Sequence, residues 1–126
     1  MAKSIVLEKS FLFALEVIEL FKKLQSEREY VLSKQLLRSG TSIGANVEEA
    51  LAGQSRRDFL AKMAIASKEA RETHYWLVLL QKSKLTKLEL TRAVQDNKEL
   101  IRILTSIVKT TGENSSIQNS KLITQN

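Results

Sequence analysis

The 126-residue chain has no cysteine, no proline and a single histidine, and glycine occurs only 4 times. Without cysteine there is no disulfide framework and no thiolate metal site. His74 alone cannot build a histidine cluster, so neither a metal nor a cofactor is expected. With no proline, few glycines and only 6% aromatic residues, little in the chain breaks helices, and the composition predicts an all-α protein rather than a sandwich or barrel. No uncharged apolar run approaches the roughly 18 residues that a membrane span needs. The opening stretch MAKSIVLEKSFLFALEVIELF is rich in apolar residues, but Glu8, Glu16 and Glu19 interrupt it and no small-residue cleavage site follows, so the expected compartment is the cytoplasm, away from any membrane.

What the chain has in quantity is positive charge and helical periodicity. Twenty Lys and Arg against 14 Asp and Glu give a formal net charge of +6 and a pI near 9.7, which suits an anionic partner such as nucleic acid without requiring one. The length fits one domain that buries roughly two thirds of its unfolded surface. Over residues 5–25, Leu7, Phe11, Ala14, Ile18 and Phe21 recur at helical spacing, and a second apolar line, Phe13, Val17, Leu20 and Leu24, lies on another side. Ser26 followed by Glu29 reads as a capping box for a second helix that runs to about Leu51. Gly53 is a candidate left-handed terminator, and Ser55 with Asp58 repeats the capping pattern for a third helix over 56–82.

A fourth helix is predicted over 87–110, with Leu90, Val94, Ile101, Leu104 and Val108 on one face and Ala93, Leu100, Ile103 and Ile107 beside it. Residues 1–111 then form an antiparallel up-down-up-down four-helix bundle, and the polar stretch 112–126 forms a disordered tail. Apolar lines left over on the first and fourth helices call for a subunit interface, hence a homo-oligomer.

The stretch QLLRSGTSIGANVEEA, residues 35–50, carries a polar line (Gln35, Ser39, Ser42, Asn46, Glu49) beside an apolar one (Leu36, Ile43, Val47, Ala50). The third helix has its own flanking line in Lys62, Ile65, Glu69, Glu72 and Trp76. In an antiparallel hairpin, facing residues have numbers summing to about 108. That sets Asn46 near Lys62, Ser39 near Glu69 and Gln35 near Glu72, with Arg38 in reach of either glutamate. The expected result is a structural polar lock of Arg38, Ser39, Asn46, Glu69 and Glu72 that fixes the hairpin register. The other reading is a site lined by Arg38, Asn46, Glu69 and Glu72, although no nucleophile–base pair or metal geometry accompanies it. Gly40 and Gly44 are expected where a neighbouring helix approaches closely, despite a helix cost of roughly 1 kcal/mol each.

These residues also carry a resemblance. LLRSGTSIGANVEEA and SRRDFLAKMAIASKEARETHYWLVLL resemble the bacterial four-helix-bundle family of proteins encoded in intervening sequences of 23S ribosomal RNA genes. The matching positions include Arg38, Ser39, Asn46 and Glu49, then Asp58, Glu69, Glu72, Tyr75 and Trp76. Gly44 and Ala50 depart from the family pattern, which favours proline and glycine there. The resemblance implies a four-helix bundle. Through the related accessory proteins of diversity-generating retroelements, it also implies a basic pentameric barrel that binds nucleic acid and a reverse transcriptase.

The leading expectation is a non-enzymatic oligomer that binds RNA or other nucleic acid. One candidate surface is the bundle end that gathers Lys22, Lys23, Arg28, Lys82, Lys84 and Lys87; the other is a stripe on the fourth helix with Lys98, Arg102 and Lys109. Glu27, Glu29, Glu89 and Glu99 dilute these fields, and no aromatic residue alternates with the basic ones. The alternative is a protein-interaction scaffold, for example for a reverse transcriptase. An enzyme is disfavoured, because Arg71 and His74 are only three apart and a di-iron site needs Glu-x-x-His pairs.

Overall fold

The structure, a computed structural model, describes the backbone of residues 2–124 and the side chains of residues 5–114. It consists of α1 (Ala2–Ser26), α2 (Leu32–Ala52), α3 (Arg56–Ser83) and α4 (Thr91–Thr124), with no strand among the described residues. Each helix packs on the next, α1 closes against α4, and the diagonal pairs do not touch among the described residues. Along the α1–α2 seam Gln25 meets Ser33, Val17 meets Gly40 and Ser10 meets Gly44, so numbers fall on one helix as they rise on the other. The α2–α3 seam shows the same sense in Arg38 with Glu69 and Glu49 with Lys62. Contacts of Glu27 with Thr86 and Lys87 hold the α1–α2 and α3–α4 connections at one end.

The core shows which of the two apolar lines on α1 is internal. Phe13, Val17, Leu20 and Leu24 are buried with Val6, whereas Phe11 is 63% exposed and Leu7, Ala14, Ile18 and Phe21 are only half-buried. On α4 the buried line is Ala93, Asn97, Leu100 and Leu104, extended by Leu90 just before the helix. Val94, Ile101, Ile103, Ile107 and Val108 of that helix are half-buried against the core, so among the described residues the exposed apolar surplus lies on α1 and not on α4. Fully buried side chains such as Leu36, Ile43 and Leu77 each contribute about 1.5–3 kcal/mol relative to exposure. Gly40 and Gly44 do mark a close approach, and the helix that approaches is α1: a Cβ on Gly40 would lie 2.8 Å from Val17 Cγ2, and one on Gly44 would lie 3.3 Å from Ser10 O.

Three helix boundaries differ from the sequence reading. Ser26 closes α1, its hydroxyl donating to Lys23 O at 2.7 Å, and Glu29 alone caps α2 by accepting from the N–H groups of Val31, Leu32 and Ser33. Burial works to raise the Glu29 pKa, but those backbone donors outweigh it and hold the carboxyl below its ordinary value. Gly53 is extended (φ −64°, ψ 152°) rather than left-handed; positive φ falls instead on Arg28 (64°) and Lys84 (60°). The third difference is α4, which begins at Thr91, behind Glu89, and continues past 110 to Thr124. Part of the stretch expected as a disordered tail, 112–124, is helical backbone continuous with the rest of α4. Positions 125 and 126 of that expected tail lie outside the described residues. Ser55 caps α3 as its spacing suggests, accepting from Asp58 N at 3.0 Å.

Candidate polar seam and basic surfaces

The α2–α3 seam has an apolar inside and a charged outside because both helices place their polar lines on the same flank. At its outer edge the Arg38 guanidinium lies between two carboxylates of α3: Nη1 is 3.4 Å from Glu69 Oε2, and Nη2 bonds Glu72 Oε2. The same Glu72 oxygen accepts from Trp76 Nε1 at 3.3 Å, and the Trp76 ring meets Tyr75 edge-on with centroids 5.1 Å apart. Arg38 is half-exposed, so each ion pair contributes about 1 kcal/mol or less. Deeper in the seam, Thr73 Oγ1 and Ser39 Oγ are 2.9 Å apart, both residues fully buried.

Arg38, Glu69 and Glu72 are therefore brought together, but the other two members of the expected lock are not part of that cluster. Ser39 meets Thr73, one turn beyond Glu69. Asn46 donates to Ser42 O of its own helix at 2.8 Å, and Lys62 pairs with Glu49 at 3.1 Å. Asn46 is too short to leave its helix when a carbonyl is available one turn back. Gln35 is exposed. The seam pairs one guanidinium with two carboxylates. Among the described residues no group of three or more His, Cys, Asp or Glu is placed to hold a metal ion.

The bundle-end cations come together as the contacts of Glu27 require. Lys22, Lys23, Arg28, Lys82, Lys84 and Lys87 all lie at the end where the two connections meet, although Lys22 pairs with Glu19 at 3.2 Å. Along α4, Lys98, Arg102 and Lys109 are exposed; Lys98 and Lys109 have no acidic partner among the described residues, and Arg102 lies in the field of Glu99.

Two features escaped the sequence reading. Asn97 is wholly buried in the α4 core line and donates to Ala70 O at 3.0 Å. Between α1 and α4, Glu16 and Asp96 face each other in a groove of about 550 Å³ flanked by Lys9, Glu19, Arg92 and Glu99. Burial, then the shared hydrogen bond with Asp96 and its charge, push the Glu16 carboxyl up to about 7, against the pull of Arg92. Helical spacing places Glu16 and Asp96 on flanks of their own helices, but only knowledge of which α1 line is internal brings them together.

The helix count, the packing order and the Arg38-centred seam define an all-helical, four-helix protein with no helix long and apolar enough to cross a membrane among the described residues. Residues 2–106 match the model of the 23S rRNA-intervening sequence protein family, and the chain belongs to that family. It is similar to a solved structure of a protein with unknown function from the S23 ribosomal protein family of Bacteroides thetaiotaomicron VPI-5482. The two share 46% identity with a TM-score of 0.82, over 86% of this chain and 99% of that one. No curated protein matches the chain.

Proposed function

We propose that this chain is a non-enzymatic, cytoplasmic nucleic-acid-binding protein: an up-down-up-down bundle that assembles into a ring, with a pentamer as the working stoichiometry. The observation that carries the reading is the separation of two kinds of surface. Ile5, Phe11, Leu12 and Leu15 expose an apolar stripe on α1, while exposed cations such as Lys23, Lys84, Lys98 and Arg102 occupy the bundle end and α4. The first suits contacts between copies, and the second suits phosphates. The solved relative's assignment to a ribosomal protein family makes RNA the first ligand to try.

The test is fluorescence-polarisation titration of the full chain with structured RNA, single-stranded RNA and duplex DNA at two salt concentrations, with the particle mass recorded in parallel. Salt-sensitive binding that weakens on Lys98→Glu and Arg102→Glu is the expected result. An intact oligomer that binds none of the probes at low salt overturns the reading. A second reading, a scaffold for a nucleic-acid enzyme such as a reverse transcriptase, is favoured by one observation: Tyr30, Val31 and Leu85 are exposed at the basic end, where a protein partner would cover them.

A further inference from the structure

The acidic residues of α3 and α4 are sorted by side. Glu69 and Glu72 turn toward α2, where Arg38 holds them. Asp96 and Glu99 turn toward α1, where they meet Glu16 and Lys9. The remaining side of this pair of helices is the outer α3–α4 face. With about 100° between successive residues, Lys68, Tyr75 and Lys82, spaced by seven, fall on one stripe of α3, with Arg71 a turn below Tyr75 on the α4 side. Arg71 donates to Thr105 Oγ1 at 2.9 Å, which joins this stripe to the one on α4 that carries Lys98 and Arg102. The two stripes form one face with five cations, bordered by Glu72 and Glu99, whose carboxylates are paired with Arg38 and Lys9.

An exposed aromatic stands in the middle of that face. Tyr75 is 59% exposed, and its ring meets Trp76 edge-on; Trp76 bonds Glu72, which Arg38 in turn holds. The polar seam between α2 and α3 thereby reaches a surface ring, an arrangement that a register lock alone does not need. A ring backed on one side by a held neighbour has less freedom to lose when a planar group stacks on it. Cations flanking an aromatic platform are the recognition chemistry of single strands, whose bases are free to stack while the phosphates follow the positive track. The face is also free for this use, because α3 lies diagonally across the bundle from α1 and its apolar stripe.

Resting on the nucleic-acid reading above, we infer that the outer α3–α4 face is a track for single-stranded nucleic acid. Lys68, Arg71, Lys98 and Arg102 neutralise phosphates there, and Tyr75 stacks on a base. Arg38, Glu72 and Trp76 are positioning residues for that ring.

The experiment uses the full chain with fluorescein-labelled single-stranded RNA, single-stranded DNA of the same sequence, and the duplex of that DNA. Tyr75→Ala is expected to weaken single-strand binding about tenfold, and Tyr75→Phe to retain it, since stacking needs the ring and not the hydroxyl. The pair Lys68→Gln and Arg71→Gln lowers the slope of log affinity against log salt by about 1.4. Trp76 is the only tryptophan, and its emission changes on binding if the strand lies against Tyr75. Equal affinity for RNA and DNA supports a track that reads phosphate and base; preference for RNA supports the same track with added 2′-hydroxyl contacts.

If the wild type binds but Tyr75→Ala, with an unchanged circular dichroism spectrum, binds within twofold of it, the track is wrong and the broader reading stands. Loss of binding on Lys23→Gln and Lys84→Gln would then move the site to the bundle end. A wild type that binds none of the three probes at low salt overturns both.

Discussion

Thr73 Oγ1 and Ser39 Oγ lie 2.9 Å apart inside the α2–α3 seam, and each hydroxyl also has a carbonyl of its own helix in reach, Glu69 O at 2.8 Å and Leu36 O at 3.5 Å. The bond between them is the one polar link that crosses the apolar layer here. Thr73→Val leaves Ser39 with only its long intrahelical contact and should cost about 1–2 kcal/mol. Ser39→Ala leaves Thr73 bonded to Glu69 O and should cost less. Denaturant unfolding of both single variants and the double variant checks this: the double variant should be less destabilised than the two costs added, because no orphaned hydroxyl remains. Strict additivity would show that the hydroxyls do not interact.

The approach of α1 to α2 depends on a missing side chain. A Cβ at Gly40 would sit 2.8 and 2.9 Å from the two γ-carbons of Val17. Gly40→Ala should therefore destabilise by about 1–3 kcal/mol, although alanine is the better helix former by roughly 1 kcal/mol. Adding Val17→Ala should recover part of the loss. At Gly112 nothing lies within 4 Å of a built Cβ, so Gly112→Ala should be neutral to stabilising. Thermal unfolding of the three variants decides whether the contact or the propensity dominates.

Legibility in the sequence followed how local each determinant is. The Ser55–Asp58 cap is readable because donor and acceptor are three residues apart. Arg38 with Glu69 and Glu72 is readable because both helices share one period, and a long guanidinium tolerates error in register. Asn46 with Lys62 is not, since a short amide satisfied by Ser42 O has no need of a partner across the seam. The choice between two equally periodic lines on α1 is set by what packs against them, and periodicity contains no such information. The Glu29 cap was visible as a residue but assigned one turn early, because Ser26 satisfies a cap pattern as well as it satisfies the end of α1.

Glu16 gives the protein a pH dependence of defined sign. Its carboxyl is raised from 4.5 to about 7 by burial and by Asp96, so the folded state binds more protons than the unfolded state between those values. Stability should fall as pH rises through that window and level off above it. The charge of Arg92 on α4 moderates the effect; Lys9, paired with Glu99, and Glu19 also line the groove. Glu16→Gln keeps the shape and removes the titration. Urea unfolding at pH 5, 6, 7 and 8 should show a decline across the wild-type series that is flattened in the variant. Parallel series would rule out Glu16 as the cause.

The exposed stripe on α1 makes the assembly testable without disturbing the core. Phe11 is 63% exposed and Leu15 47%, and they lie one turn apart on the side of α1 opposite Phe13, Val17 and Leu24. A large ring left in water would be unusual on so small a monomer unless another surface covers it, and burying such a side chain contributes about 1.5–3 kcal/mol per copy. Phe11→Glu with Leu15→Glu places charge in any contact made there, and the resulting desolvation and like-charge repulsion should convert the proposed oligomer to monomers. Because neither side chain belongs to the core, helical content and the unfolding midpoint of the separated chain should stay near those of a folded bundle. Light scattering coupled to size exclusion gives the mass, and circular dichroism gives the fold. A variant that keeps the wild-type mass would mean that the ring is held by another surface or does not form.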